Sequence, residues 1–137
     1  VTGGEISGNT LRYVTTVNLG GDHLEADNFI LATGSFLSHG IKATPSRIYE
    51  PVFGLDVVSP ADRAEWFHEN FYQQQPYMNF GVVTDASFRL SREGQTVSNL
   101  YGIGSVLSGS DPLTLSCGGG VALFTALHVA DTILNSK

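Results

Sequence analysis

The chain is poor in cysteine and in charged side chains, and both shortages narrow what it can be. Its one cysteine, Cys117, excludes an internal disulfide framework and favours a reducing compartment. Only 15% of the 137 residues are charged, and the seven Lys and Arg residues are scattered along a chain with a formal charge of -6. Binding a phosphate backbone needs a clustered basic surface, so the composition argues against a nucleic-acid-binding protein.

Long apolar runs are missing as well. The most apolar stretch, 121–130, is interrupted by Thr125 and His128 and is shorter than the roughly 20 residues that span a bilayer. No basic segment followed by an apolar one opens the chain, so no secretory signal is predicted, and the scattered histidines predict no metal site. A hydrophobic content of 42% is enough for one core. Because the chain begins at Val1, inside an apparent strand, we expect it to be a piece of a larger protein.

The remaining pattern alternates short strands with turns and ends in a long helix. Strands are predicted over 1–6, 10–17, 24–27, 28–34, 80–83 and 100–106. The runs 28–34 and 100–106 are mostly apolar and contain a glycine near their end, which is typical of strands buried on both faces of a parallel sheet. One helix is predicted over 61–71, with Ser59 as its N-cap, and a second over 119–135.

The second helix has few polar residues, and they share one narrow stripe: Thr125, His128, Asp131, Thr132 and Asn135. The other side chains along it are mostly Val, Ala, Leu, Phe and Ile. We therefore expect this helix to pack against a sheet over most of its circumference, with His128 exposed on the polar stripe.

Glycines at three points indicate a ligand site. Ala32-Thr33-Gly34 ends one buried strand, Gly104-Ser105 ends the other, and Gly118-Gly119-Gly120 precede the helix. In open α/β sheets, ligands bind beyond the carboxyl ends of the strands, where glycine lets a cofactor approach the backbone. Free N–H groups at a helix N-terminus suit a phosphate or the carbonyl side of a flavin ring. Tight helix–strand packing is the alternative explanation of the three glycines.

Other side chains carry weaker signals. Cys117 precedes a helix N-terminus, which permits a redox role, although a packing role is the alternative. His39, Lys42 and Arg47 are close in sequence to the predicted crevice. Asp56, Asp85 and Asp111 lie in Gly/Pro-rich loops and are expected to form turns. Four aromatic residues are expected to form a core or an interface between subunits: Trp66, Phe67, Phe71 and Tyr72. No residue is assigned as catalytic.

The sequence resembles a known family at these residues. The segments FILATGSFLSHGI, EPVFGLDV, FGVVTD and NLYGIGSVLSGSDP, followed by SCGGGVALFTALHVA, are similar to the C-terminal part of the B subunit of anaerobic glycerol-3-phosphate dehydrogenase. The resemblance runs from about Asp27 to Ile133. It implies an α/β protein with a partial Rossmann-like FAD/NAD(P)-binding fold of the two-dinucleotide-fold flavoprotein type, with a small β-rich insert.

The resemblance also implies a function. The B subunit holds a flavin, with FMN as cofactor and FAD as the alternative. Its respiratory dehydrogenase oxidises sn-glycerol 3-phosphate to dihydroxyacetone phosphate and passes electrons to the quinone pool. The implied partners are an A subunit, which is the catalytic flavoprotein, and a C subunit, which is an iron–sulfur protein that attaches the pair to the membrane. The implied location is cytoplasmic, peripheral on the inner face of the cell membrane.

Carried to this chain, the resemblance assigns roles to the glycine-rich turns. Thr33 and Gly34 close the first buried strand beside the cofactor. Gly104 and Ser105 stand where related flavoproteins have Gly-Asp or Gly-Glu to hold the ribityl chain, so a carboxylate contact is missing although a hydroxyl remains. Gly118, Gly119 and Gly120 face the flavin ring.

The resemblance further predicts how the chain is divided. Residues 1–43 are expected to form a ribbon and strand of the flavin-binding domain, 44–83 an insert that covers the substrate, and 84–137 a final strand and helix. A G-x-G-x-x-G turn for the cofactor phosphate is absent, so we expect the chain alone to bind flavin weakly and to be inactive. Two alternatives stay open: another flavin-dependent oxidoreductase of the same superfamily, and a non-catalytic assembly subunit.

Overall fold

The structure is a computed structural model that describes residues 1–20, 22–111, 114, 116 and 118–136. Ten strands and one α-helix form within these ranges: β1 (Gly3–Ser7), β2 (Thr10–Thr15), β3 (His23–Glu25), β4 (Phe29–Leu31), β5 (Lys42–Ala43), β6 (Ile48–Tyr49), β7 (Val57–Val58), β8 (Gly81–Val82), β9 (Arg89–Arg92), β10 (Gln95–Gly102) and α1 (Gly118–Asn135). Short 3-10 turns connect several of them.

The first three strands form the predicted antiparallel ribbon, in the order β1-β2-β3. Leu11 and Val14 of β2 are buried in the core, which fixes the ribbon against the rest of the protein. Asn99 of β10 adds a polar attachment. Its amide oxygen accepts from the Leu11 N–H at 2.8 Å, and its amide nitrogen donates to the Leu11 carbonyl at 2.9 Å.

The central sheet has the order β4-β10-β9. β4 runs parallel to β10, with Phe29 opposite Leu100 and Leu31 opposite Gly102. β9 pairs antiparallel with β10 through the tight turn at Glu93 and Gly94. The two apolar strands predicted from the sequence are thus neighbours in one sheet, although β9 was not predicted. The expectation of burial on both faces is wrong for β4, because it is an edge strand and Ile30 is 51% exposed.

The prediction of a helix over 61–71 is wrong. Only Arg63–Glu65 form a single 3-10 turn, capped by Asp62, whose carboxylate accepts from the Ala64 N–H at 2.9 Å. The side chain of Gln75 explains why no helix follows. It accepts from the His68 N–H at 2.9 Å and donates to the Asn70 carbonyl at 3.0 Å, so these backbone groups are bonded to an amide side chain instead of to a helical ladder.

The final helix begins one residue before its predicted start, at Gly118, and ends at Asn135 as predicted. The expectation that a sheet covers most of it is wrong. Only Thr125 and Val129 of α1 are buried, and four large apolar side chains are 59–70% exposed: Leu123, Phe124, Leu127 and Leu134. The reason is that α1 meets the sheet through the 3-10 turn Gly104–Val106 at the end of β10, which covers one narrow face.

The core is one cluster of apolar side chains from the ribbon, the central sheet and the loops beside them: Leu11, Val14, Leu31, Ile41, Phe53, Leu55, Val82, Leu90, Val97, Leu100, Val106 and Leu107. A charged residue, Glu50, is also buried, at 1% exposure. Its carboxylate accepts from the N–H groups of Val52 and Phe53, each at 2.8 Å. The buried charge is therefore hydrogen-bonded, as burial requires, and it shapes the loop that follows.

We predict that Glu50→Ala destabilises the protein by about 2–3 kcal/mol, because buried backbone N–H groups lose a charged acceptor. The measurement is the free energy of unfolding from a denaturant titration. Glu69→Ala, at an exposed glutamate, is the matched control and should change the free energy by less than about 0.5 kcal/mol. Equal effects of the two substitutions would contradict the structural role of Glu50.

Candidate functional site

Two predicted site segments meet at one edge of the central sheet. Because β4 and β10 are parallel and in register, the chain leaves both strands at the same edge, and the Ile103 N–H donates to the Leu31 carbonyl at 3.1 Å. Beyond this bond, a Cβ built on Gly34 would lie 3.5 Å from Ser105 Oγ. Tertiary structure thus brings Thr33-Gly34 next to Gly104-Ser105.

The turn after β4 is closed by glycine in two different ways. Gly34 has a φ of +75°, a left-handed conformation that glycine adopts without steric cost, and a Cβ there would collide with the Ser38 hydroxyl. Gly40 packs directly on Gly34, since a Cβ on Gly40 would collide with the Gly34 carbonyl oxygen. The Gly40 N–H donates to the Ser35 carbonyl at 3.0 Å and completes the turn. The sequence-based prediction did not include Ser38 or Gly40.

Thr33 presents an unusual polar group. Its hydroxyl oxygen is buried, and no described residue forms a hydrogen bond with it. Buried hydroxyls are nearly always hydrogen-bonded, so such a group favours a ligand or water contact. Thr33 also lines a cavity of about 390 Å³ whose other walls include Phe29, Val52, Phe53 and Leu100.

Gly104 connects the sheet edge to α1. It has a φ of +72°, and its N–H donates to Thr125 Oγ1 at 2.9 Å. A Cβ on Gly104 would stand 3.8 Å from the Cβ of Ala122, so helix and turn are in close contact. Thr125 was predicted to belong to an exposed polar stripe. That prediction is wrong, because its hydroxyl bonds Gly104 and the residue is 3% exposed.

The three glycines form the first turn of α1, and this helix is attached to the sheet edge through Gly104. Gly119 is exposed, and a Cβ added to it would meet no described atom within 4 Å. Tight packing of the helix on the strand therefore does not require a glycine at this position.

Comparison with known families supplies the class of ligand. Residues 4–121 match the model of a family described as FAD binding domain. The chain belongs to this FAD-binding domain family. The match covers both glycine-containing strand ends and the helix start, and a mixed α/β architecture agrees with the predicted partial Rossmann-like FAD-binding fold.

Curated relatives share one name. The B subunit of anaerobic glycerol-3-phosphate dehydrogenase from Vibrio cholerae is 45% identical over 136 residues, which is 98% of this chain and 31% of that protein. The proteins of the same name from Yersinia enterocolitica and Yersinia pestis are 43% and 44% identical over 132 and 131 residues, 96% of this chain and 31% of each. The chain thus spans about a third of the length of the relatives it matches. No solved structure matches it significantly.

The chemistry of the residues at the sheet edge fits a flavin. The Cβ positions of Gly34 and Gly104 face Ser38 and Ala122, so glycine at these two points serves the left-handed turns that carry Thr33 and Ser105. The ribityl chain of a flavin carries hydroxyls that need hydrogen-bond partners, and a hydroxyl such as that of Thr33 or Ser105 is able both to donate and to accept. The family supports a flavin without distinguishing FMN from FAD.

The turn formed by residues 85–89 contacts α1, and the sequence did not indicate this contact. Burial acts to raise the pKa of the Asp85 carboxyl, but hydrogen bonds from the N–H and guanidinium of Arg89 and from the Ser87 N–H outweigh it and lower that pKa below its ordinary value. The turn holds Phe88 at a φ of +60°, which is rare for a bulky residue. The Phe88 ring stands edge-on to His128 of α1, with 5.3 Å between ring centroids, so the turn supports the helix. His128 is exposed, as predicted.

The remaining candidate side chains lie elsewhere or form structural contacts. Asp56 accepts from the N–H groups of Glu93 and Gly94, so its carboxylate holds the turn between β9 and β10 and not a turn of its own loop. Asp111 is buried and accepts from the Gln74 amide at 3.1 Å. The candidates His39, Lys42 and Arg47 are exposed. Trp66 is buried, whereas the other three aromatic residues of that segment are exposed: Phe67, Phe71 and Tyr72.

Three further expectations from the sequence concern Cys117, a metal site and a membrane-spanning helix. Cys117 lies outside the described residues. In the described part of the chain, no group of three or more His, Cys, Asp or Glu side chains is arranged to hold a metal ion. Within the same ranges, no helix combines the length and hydropathy needed to cross a bilayer.

We predict that Gly34→Ala lowers the free energy of unfolding by at least about 1 kcal/mol more than Gly54→Ala does. Both glycines have positive φ values, +75° and +66°, so both substitutions introduce backbone strain. Only at Gly34 does the added Cβ also meet a neighbour, since Gly54 faces open space. Denaturant titration of the two variants checks this, and equal losses would contradict the tight turn at Gly34.

Proposed function

We propose that this chain is the part of the B subunit of an anaerobic glycerol-3-phosphate dehydrogenase that completes a flavin site, in an enzyme that oxidises sn-glycerol 3-phosphate to dihydroxyacetone phosphate. The observation that carries the proposal is the meeting of Thr33-Gly34 with Gly104-Ser105 at one sheet edge in a chain of the FAD-binding family. The shared name of relatives 43–45% identical supports the substrate.

We assign the flavin contacts as follows. The Thr33 and Ser105 hydroxyls bond polar atoms of the cofactor, and Gly34 and Gly104 form the left-handed turns that hold them in place. The N–H groups of Gly118, Gly119 and Gly120 are directed at the carbonyl side of the ring, where the positive end of the helix dipole favours the charge of the reduced form. A bound flavin supplies a two-electron acceptor that can pass electrons on one at a time.

The proposed cofactor is FMN, with FAD as the alternative. The proposed partners are an A subunit, which is the catalytic flavoprotein, and a C subunit, which is an iron–sulfur protein that attaches the assembly to the inner face of the cell membrane. Electrons then pass towards the quinone pool. The relatives are named as one subunit of an enzyme, which supports the existence of further subunits.

The chemistry of the assigned residues also supports a function that requires other subunits of a complex. Thr33, Ser105 and the five glycines hold and orient a ligand, but none of them titrates near neutral pH. The base that removes the substrate proton is therefore expected from another part of the assembly. The same observation favours a second candidate, a non-catalytic assembly subunit that keeps the flavin fold for contacts with its partners.

The deciding experiment is the visible absorption spectrum of the complete polypeptide that carries this sequence, purified without added cofactor. We expect a flavin spectrum and, after denaturation, release of FMN that chromatography against FMN and FAD standards identifies. Release of FAD would correct the cofactor alone. A folded but colourless protein would contradict the redox function and favour the non-catalytic role in assembly.

We further predict that Gly119→Ala in that polypeptide weakens flavin binding by about tenfold while leaving its stability unchanged or slightly raised. Alanine favours a helix over glycine by about 1 kcal/mol, and the added methyl group meets no described atom of the protein. A loss of affinity therefore reports direct crowding of the ligand. Flavin titration and denaturant unfolding on the same variant separate the two effects, and unchanged affinity would remove Gly119 from the site.

A further inference from the structure

Two inward-facing residues hold α1 on the rest of the protein. In the helix as described, only Thr125 and Val129 are buried, at 3% and 0% exposure, and they stand one turn apart on the same face. Val129 contributes apolar contact, which does not by itself fix a helix along its own axis. Thr125 contributes the directional contact.

The Thr125 hydroxyl accepts one hydrogen bond and donates to carbonyls of its own helix, with Ala122 as a second, longer acceptor at 3.3 Å. It accepts from the Gly104 N–H at 2.9 Å and donates to the Val121 carbonyl of its own helix at 2.7 Å. Gly104 is buried, so its N–H has no access to solvent as an alternative partner. One hydroxyl therefore joins the end of β10 to the first turns of α1.

Both elements joined by this hydroxyl carry proposed flavin contacts. On one side, the Gly104 N–H direction and its φ of +72° set the path into Ser105. On the other side, the first turn of α1 consists of Gly118, Gly119 and Gly120, which have no side chains to anchor it. The position of those glycine N–H groups relative to Ser105 thus depends on the bond at Thr125.

We infer that Thr125 is a positioning residue of the flavin site, which holds the Gly104-Ser105 turn and the glycine N-terminus of α1 in one geometry. This inference rests on the proposed function, because it concerns the same site. Thr125 itself is directed at Gly104 and is not assigned a contact with the cofactor. Its effect on the flavin is therefore transmitted through the backbone of Gly104 and through the helix.

The test compares three variants of the complete polypeptide. Thr125→Val keeps the shape of the side chain and removes the hydroxyl, and Thr125→Ser keeps the hydroxyl. Thr132→Val is the matched control, because the half-buried Thr132 donates its hydroxyl to the His128 carbonyl at 2.9 Å, the same i−4 bond within the helix, without a bond to the Gly104 turn. The measurements are flavin affinity, visible circular dichroism and midpoint potential of the bound flavin, and amide hydrogen exchange of peptides covering residues 103–106 and 118–124.

For Thr125→Val we expect affinity to fall about tenfold, because a buried N–H is left without its acceptor. We also expect an altered flavin dichroism and potential and faster exchange in both peptides. Thr125→Ser and Thr132→Val should stay within about twofold of the unsubstituted protein. If Thr125→Val does not fold, the comparison is made between Thr125→Ala and Thr125→Ser, which differ by the hydroxyl oxygen.

Several results would overturn the inference. Unchanged affinity, dichroism and potential in Thr125→Val would do so, even with faster exchange, because the residue would then be structural only. An equal loss in Thr125→Ser would show that the hydroxyl is not responsible. A complete polypeptide without flavin contradicts the proposed function and with it the role of Thr125 there, whereas a flavin-bound protein insensitive to Thr125→Val contradicts this inference alone.

Discussion

The parallel pairing of β4 with β10 is the constraint on which the site depends. Three pairs of residues, from Phe29 opposite Leu100 to Leu31 opposite Gly102, bring two distant parts of the chain to the same sheet edge. Leu31 and Leu100 are both buried, so a one-residue slip of either strand would turn a core side chain outward. The buried pattern therefore specifies the register, and the register specifies which turns meet.

The candidate site is made almost wholly of backbone and hydroxyl groups. Glycines with positive φ values, Gly34 and Gly104, shape the two turns at the sheet edge, and Thr33 and Ser105 carry hydroxyls beside them. Such a site has little charge of its own, so its selectivity depends on where each N–H and O–H group is held. Residues outside the edge then become important, as the bond between Thr125 and Gly104 illustrates.

The α-helix shows where composition and structure disagree. Its apolar residues predict a helix covered on most sides, yet Leu123, Phe124 and Leu127 are exposed. The sheet has three strands, and its contacts to α1 are mainly those of the short turn Gly104–Val106, so these side chains stay largely exposed. The helix is thus apolar beyond what its contacts in this chain require, in a family whose matched relatives are about three times as long.

The fold class, the ribbon, the two apolar strands that became β4 and β10, α1 and, through a resemblance, the flavin family were predictable from the sequence, because alternation, apolar runs and helical periodicity are short-range signals. The helix expected at 61–71 failed because Gln75, further along the chain, bonds its backbone groups. The proximity of Gly34 to Ser105 and the inward direction of Thr125 were not predictable from the sequence. The physical reason is that these properties arise from contacts between residues far apart in the chain. Periodicity assigned Thr125 to a polar stripe, but an N–H 21 residues earlier gives its hydroxyl a buried partner.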